Sequence, residues 1–262
     1  VTHATTEAAL GAVIENIGTA HFIEAMIDYL RQLADFGGCF LVMIEDSRRI
    51  HHVYDNVRND RRIPVIDRYF DGAYLLDPFF VYCQAFSPTD VLRLDDVAPD
   101  RFHQSTYFET YYSTLRLSDE LAIFIDLGQR RNLFWSLGRM LDEPVFDAAN
   151  VAILKRNMPV LRALCLRHFS RQPISPFPSQ SEAPDIDGAM TEFAANLTGR
   201  EREIAALILK GHSTGSIALT TGITAGTVKI HRKNLYRKLG ISSQGELYHL
   251  FLHKTARLIR GA

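Results

Sequence analysis

The 262-residue chain is poor in the features that usually announce chemistry. It has three cysteines, Cys39, Cys83 and Cys165, widely spaced within apolar segments and with no Cys-x-x-Cys pair. That pattern excludes a disulfide scaffold and a thiolate zinc site, and it fits reduced thiols in a cytoplasmic protein. No apolar run is long enough for a bilayer, and Val1–Leu10 is polar without a basic start, so neither a membrane span nor a signal peptide is expected. Gly-x-Ser-x-Gly, Gly-x-Gly-x-x-Gly, a Walker phosphate loop and a metal-spaced His/Glu cluster are all missing. The chain therefore reads as a non-enzyme with no cofactor and no metal. His51 and His52 alternate across a predicted strand and cannot both face one metal, and Cys39 fits a buried strand thiol better than a nucleophile.

An excess of charge of one sign is also lacking, since 29 Lys and Arg stand against 30 Asp and Glu. The balance divides by position. Residues 1–195 carry 18 basic and 27 acidic side chains, a balance of −9, whereas residues 196–262 carry 11 and 3, a balance of +8. One end is suited to polyanions and the other is not. Between them, Arg171 to Pro184 holds four prolines in fourteen residues, which prevents continuous helix and marks a linker over 171–190. The expected organisation is a domain over 1–170, this linker, and a basic domain over 191–262.

The basic domain has explicit helix start and stop signals. Thr198-Gly-Arg-Glu201 has capping-box spacing, and the helix it opens buries Ile204, Leu207 and Ile208 before Gly211 ends it. Ser213 caps a short helix that Gly222 breaks, and Thr224 caps a third that runs to Leu239 and stops at Gly240. A helix, a tight Gly turn and a basic helix form a helix-turn-helix. At about 100° per residue, Leu235 and Leu239 fall within roughly 20° of Val228 and face the core. Gly226, Lys229, Ile230, Lys233 and Arg237 occupy the opposite arc, where cations meet phosphates or guanine and apolar atoms meet thymine methyls. Arg232 joins this set of DNA-contact candidates by its charge. A last helix begins at Ser243-Gln-Gly-Glu246, again with capping-box spacing.

Leu197-Thr198-x-Arg200-Glu201-x-Glu203, Gly211, Ile217-Ala218, Thr227-Val228-Lys229-x-His231, Asn234 and Lys238-Leu239-Gly240 together resemble the DNA-binding domain of LuxR-type transcriptional regulators. The resemblance spans about 60 residues, Leu197 to Leu252. It implies an all-α four-helix domain whose third helix enters the major groove, with base or phosphate contacts from Thr227, Lys229, Ile230 and Lys233. It also implies that the fourth helix pairs across a twofold axis, which makes Leu247, Leu250 and Phe251 dimer-interface candidates unless they pack inside their own domain. Thr221 stands where this family usually has Leu. Partners expected on this basis are double-stranded DNA with a palindromic operator, a second copy of the chain, and RNA polymerase.

Residues 1–170 read as helices over 5–17 and 20–35, a hairpin of 38–44 with 50–54, helical stretches over 65–85 and 102–115, a second hairpin of 121–127 with 132–137, and a closing helix over 146–168. The fold class is an α+β domain, an α/β/α sandwich of antiparallel sheet with helices on its faces, followed by the all-α helix-turn-helix domain. Arg68 to Phe79 mixes phenols and a carboxylate with apolar residues, as a small-molecule site does. The candidates for effector contact are Tyr69, Tyr74, Asp77, Tyr107 and Trp135, although a residue before proline such as Asp77 more often serves as a turn or cap and a strand Trp such as Trp135 is more often core. This stretch resembles the Tyr…Tyr…Asp-Pro run of autoinducer-binding domains. Those carry Trp thirteen and Tyr nine residues before the Asp, where this chain has Pro64 and Arg68, with Tyr69 one residue off register. The domain is also similar to divergent GAF- or PAS-like sensors with a Leu-Ser-Asp-Glu strand start such as Leu117–Glu120. A regulator controlled by a small effector is thus expected, with an acyl-homoserine-lactone receptor or a phosphorylated response regulator as alternatives.

Overall fold

The computed structural model describes residues 3–46, 49–86, 89–170 and 193–261; the linker expected over 171–190 lies outside them. The chain divides into two compact units. One comprises 3–57, 82–96 and 117–170, and the other comprises 58–81, 97–116 and 193–261. Two segments of the amino-terminal half thus group with the helix-turn-helix.

The first unit is built on a five-stranded antiparallel sheet of β1 (Gly38–Glu45), β2 (Arg49–Asp55), β3 (Asp90–Arg93), β4 (Leu117–Gly128) and β5 (Arg131–Met140), in the order β2-β1-β5-β4-β3. Both expected hairpins are present, the second closing through Gly128, Gln129 and Arg130, all at positive φ. Period-two alternation sorts the two faces. Leu41, Met43, Leu121, Ile123, Leu133, Trp135 and Leu137 share one core with α1 (His3–Glu15), α2 (Phe22–Leu33) and the long closing helix α4 (Ala148–Phe169). On the other face Phe124 stacks on Phe134, and Tyr82 of α3 (Pro78–Phe86) lies 5.7 Å from Phe124. Because both faces are covered, the central strands are buried along most of their length and read as near-continuous apolar runs. Asp147 starts α4 with a full capping box to Asn150. Strand β3 was not expected; it has only four residues and lies at the sheet edge.

Several carboxylates inside this unit are paired. Asp119 accepts from the Arg93 guanidinium at 3.1 Å and from the Phe146 amide at 2.9 Å, while Glu120 accepts from the Ser136 hydroxyl. His51 meets Glu45 and His52 meets Asp55, so the two imidazoles serve different carboxylates. All three cysteines are buried and none is in a disulfide, and burial raises the Cys39 and Cys165 thiols to about 12.

The helical stretches expected over 65–85 and 102–115 are broken runs of different helix types. Ile63–Asp67 is a π turn, Gly72 takes φ 127°, Ala73–Leu76 is a 3-10 turn, and Asp77 is extended before α3 begins at Pro78. Phe102–Gln104 and Phe108–Tyr112 are likewise a 3-10 turn and a π turn. Only glycine takes φ 127° without strain, and the residue before proline is pushed out of the α region, so no single helix can pass through 72–78.

The helix-turn-helix follows its local signals closely. It consists of α5 (Gly199–Lys210), α6 (Thr214–Thr221), α7 (Ala225–Leu239) and α8 (Gln244–Gly261). Thr198, Ser213 and Thr224 cap α5, α6 and α7, and Gly211, Gly222 and Gly240 end them in the left-handed conformation. At α8 the box is offset: Ser243 accepts from the Glu246 amide, but Glu246 reaches back to Ser242. Thr221 is buried with its hydroxyl donating to the Ile217 carbonyl at 2.6 Å, so the polar atom at a usual Leu position is satisfied within its own helix.

Candidate nucleic-acid interface and phenol-carboxylate cluster

The third helix α7 separates its faces by helical period. Val228 and Leu235 are buried, whereas Gly226, Lys229, Ile230, Lys233 and Arg237 are exposed, Ile230 by 62%. An aliphatic side chain left this open between two lysines gains nothing from folding. Thr227 stands at the helix start with its amide on the Thr224 hydroxyl and its own hydroxyl 2.9 Å from Thr224. Neither Lys229 nor Lys233 is paired with a carboxylate among the described residues. Lys238 differs: its ammonium sits 2.6 Å from Glu201, which also receives the Thr198 amide and hydroxyl. Burial opposes the charge on Glu201, but Lys238 and Thr198 outweigh it and hold this carboxyl below its usual range. Lys238 is therefore part of the capping network of α5.

Arg232 requires a correction. It lies about 40° from Val228, towards the core side, where its guanidinium covers the Tyr236 ring at 5.2 Å and donates to the Tyr236 hydroxyl. Its charge is used within the domain, outside the exposed arc. Of the dimer candidates, Leu247 and Phe251 are 0% exposed and pack within the chain, Phe251 against Phe193, while Leu250 is half-buried.

The second cluster lies in 58–81 and 97–116. Asp77 is nearly enclosed, accepting from the Tyr69 hydroxyl at 2.7 Å and from the Phe79 amide at 2.8 Å. Eight residues bring Tyr69 onto Asp77 because the positive φ of Gly72 and the 3-10 turn after it fold the chain back. Burial raises the Asp77 carboxyl to about 6, against the pull of the Tyr69 and Phe79 hydrogen bonds. Tyr74 lies 6.0 Å from Tyr69 and edge-on to Phe80 at 4.9 Å. Its hydroxyl is buried with no hydrogen-bond partner among the described residues, and burial pushes its pKa up. Tyr107 packs 5.5 Å from Tyr111, which lies 6.1 Å from Tyr69 and donates to the Val65 carbonyl at 2.9 Å. Tyr107, Tyr111 and Tyr112 recur at helical spacing, which in the sequence alone suits either a pocket lining or one buried helix face; Phe80 carries no such signal. Of the two roles open to Trp135, the structure gives it the core one. Strand alternation places it with Leu133 and Leu137 in the core beneath α2 and α4, where its indole N–H meets the Cys165 thiol.

Residues 195–251 match the family described as bacterial regulatory proteins, luxR family. The chain is also 32% identical over 186 residues to a putative HTH-type transcriptional regulator in the exeN 3′ region of Aeromonas salmonicida, a match spanning 68% of this chain and 93% of that protein. The chain belongs to the luxR family. A shorter match, 47% identical over 60 residues, is to the probable transcriptional regulatory protein SgaR of Hyphomicrobium methylovorum, covering 23% of this chain and 28% of that protein. Among solved structures, the LBD domain of VqsR from Pseudomonas aeruginosa has the same fold over 64% of this chain and 98% of its own, with 23% identity and a TM-score of 0.56. This luxR-family protein is thus a DNA-binding transcriptional regulator, with an antiparallel α+β domain preceding its helix-turn-helix. No helix among its described residues is long and apolar enough to cross a membrane.

Proposed function

We propose that this luxR-family regulator is a cytoplasmic homodimer controlled by a small molecule bound at Tyr69, Tyr74 and Asp77. The observation that carries the reading is the Tyr74 hydroxyl, buried with no hydrogen-bond partner among the described residues, on a ring 6.0 Å from that of Tyr69, which donates to the enclosed Asp77 carboxyl. An unsatisfied buried donor costs about 1–3 kcal/mol, a cost that a bound acceptor removes. A fitting effector has an acceptor for Tyr74, a donor for Asp77 and an apolar body for the rings of Tyr69, Phe80, Tyr107 and Tyr111. That is the usual composition of a small-molecule site, apolar walls with a few convergent polar groups. An acyl-homoserine lactone has such a head and tail and is the second reading; Pro64 and Arg68 at the positions of Trp and Tyr count against it. Phosphorylation control is disfavoured by the antiparallel sheet, since receiver domains alternate parallel strands with helices.

On the DNA side, Thr227, Lys229, Ile230 and Lys233 meet the major groove and Arg237 the phosphates. Two copies pair through α8, with Leu250 at the contact and Leu247 and Phe251 supporting it from beneath. Twofold symmetry then gives a palindromic operator with half-sites about one helical turn apart, where RNA polymerase is the downstream partner. The test is a thermal-shift screen of the full chain against metabolites and acyl-lactones. A true effector at 100 times its dissociation constant stabilises by about 2.7 kcal/mol. The reading fails if nothing in the panel or in host extract stabilises the wild type, or if a molecule that does so acts equally on Tyr74→Phe.

A further inference from the structure

We propose that the stretch 97–116 is a latch holding the DNA-binding domain in a pose that must be released before operator binding. This rests on the effector-controlled reading above and supplies its mechanism. The latch is made of specific contacts. The Arg101 amide donates to the Gly211 carbonyl at 3.2 Å, and the Ser213 amide donates to the Asp100 carboxylate at 3.0 Å. Gly211 is pressed so closely that a Cβ there would stand 3.1 Å from Ser105 Cβ and 3.4 Å from Phe102 Cα. On α8, Tyr248 is 0% exposed, with Thr110 and Arg68 as polar neighbours of its phenol. The cleft beside these contacts, lined by Arg101, Gln104, His212, Arg232 and Gln244, measures about 40 Å³. That is room for one or two waters and none for an effector.

Two consequences follow for DNA. Ser213 is the cap of α6, the helix that precedes the basic helix α7, and amides at helix starts are where proteins hold phosphates. In this pose that amide holds a carboxylate of the same chain, so Asp100 and the DNA backbone compete for it. The arc of Lys229, Ile230 and Lys233 stays open, so the latch acts by anchoring and by occupying an anion position, without covering the reading face. A domain tied by backbone hydrogen bonds to its own sensor segment also cannot move to the spacing that two half-sites demand.

The latch is wired to the phenol-carboxylate cluster through one short run of chain. Ser105 presses on Gly211, and its hydroxyl accepts from the Phe108 amide. Thr110 neighbours Tyr248, while Tyr107 packs on Tyr111, which lies against Tyr69 and donates to the Val65 carbonyl. These residues lie on a single π turn and its first flanking residues, an element often found at functional sites. A molecule that displaces Tyr69 or Tyr111 moves the element that carries the latch.

The experiment uses the full chain, with a duplex enriched on it from a random-sequence pool. Asp100→Ala removes the carboxylate. Gly211→Asn keeps a residue that tolerates positive φ but adds the Cβ for which there is no room. When the competent state is a minor fraction, weakening the latch tightens apparent binding by the same factor. Both variants should therefore bind the duplex about two- to tenfold more tightly than wild type, the equivalent of one ordinary hydrogen bond. Hydrogen exchange of the 211–214 amides should accelerate in both while their melting curves remain cooperative. Asp60→Ala removes the same charge at an exposed site paired with Arg58 and should leave affinity unchanged. The latch is overturned if both variants bind no better than wild type, if the amides exchange at the wild-type rate, or if Asp60→Ala tightens binding equally. Failure of any duplex to be enriched would overturn the proposed function and the latch with it. Enrichment with unresponsive variants would overturn the latch alone.

Discussion

Two phenols of one cluster should respond to the same deletion with opposite signs. Tyr69 donates 2.7 Å to an enclosed carboxyl, and Tyr74 donates to nothing among the described residues. Removing the Tyr69 hydroxyl takes a donor from a buried acceptor, and hydrogen bonds of this charge-assisted kind contribute about 1.5–3 kcal/mol. Tyr69→Phe should therefore destabilise the unliganded chain by roughly 2 kcal/mol, partly relieved at lower pH where Asp77 takes up a proton. Removing the Tyr74 hydroxyl abolishes a desolvation penalty and leaves a volume smaller than a water, so Tyr74→Phe should stabilise by about 1 kcal/mol. For a chain of this length that difference spreads the two melting temperatures by roughly 6–12 °C, at about 2–4 °C per kcal/mol. Urea or thermal unfolding of the ligand-free proteins measures it, provided the slope of the urea transition is unchanged. Destabilisation of similar size in both variants would mean that Tyr74 is already satisfied, and the argument that an effector completes it would fall.

Other predictions concern charge and caps. His168 lies flat on Phe22 at 3.9 Å and accepts from the Gly18 amide, and burial lowers its pKa to about 4. Since the folded value lies below the unfolded one of about 6.5, protonation favours unfolding, so stability is lost as pH falls from 6.5 towards 4, by about 2 kcal/mol between pH 7 and 5. Asp77, raised to about 6, acts in the opposite sense over 4 to 6. Chemical denaturation of His168→Gln at the two pH values should show that the first dependence has disappeared. On DNA, Lys229→Ala and Lys233→Ala should each weaken operator binding by about 1–3 kcal/mol if they read bases, or reduce the salt slope by about 0.9 per copy if they hold phosphates. Fluorescence anisotropy at several salt concentrations separates these outcomes, and unchanged affinity in the double variant would remove both lysines from the interface. Lys238→Ala, by contrast, should leave the salt slope intact and lower the melting temperature, because its partner is Glu201. Thr198→Ala should cost about 1 kcal/mol in the same melting experiment.

What could be read from sequence divides along a physical line. Thr198, Ser213, Thr224, Gly211, Gly222 and Gly240 each act within a few residues of themselves, so the helix-turn-helix was legible almost to the residue. The two hairpins were legible because apolar runs flanked by turn residues admit few other arrangements. Strand β3 was not, because four residues at a sheet edge, half of them polar, carry no period. Trp135 illustrates a different limit: its strand was identified, but which face of a doubly covered sheet it takes depends on register, and an apolar run that is buried on both sides does not record it. Arg232 was grouped with the DNA contacts by charge alone, although its angle from Val228 already placed it near the core.

The segments that defeated a local reading are the ones that hold the cluster and the latch. Over 63–78 and 102–115 the apolar content is that of buried helix, yet the chain is broken into π and 3-10 turns by Gly72, by Pro78 and by packing that rewards neither helical period. Such turns leave backbone groups to be satisfied by tertiary partners. Tyr111 serves the Val65 carbonyl, and Gly211 the Arg101 amide. A run held by this kind of long-range hydrogen bond has fewer local interactions opposing its movement than a continuous helix does, and elements that move in regulation are drawn from that low-stability end. Conflict between local preference and final structure is therefore concentrated where a regulator needs two states of similar energy. Hydrogen exchange across the whole chain tests this directly. The 63–77 and 102–115 amides should open well before those of β1, β4 and β5, and equal protection throughout would show that the broken runs are as rigid as the sheet.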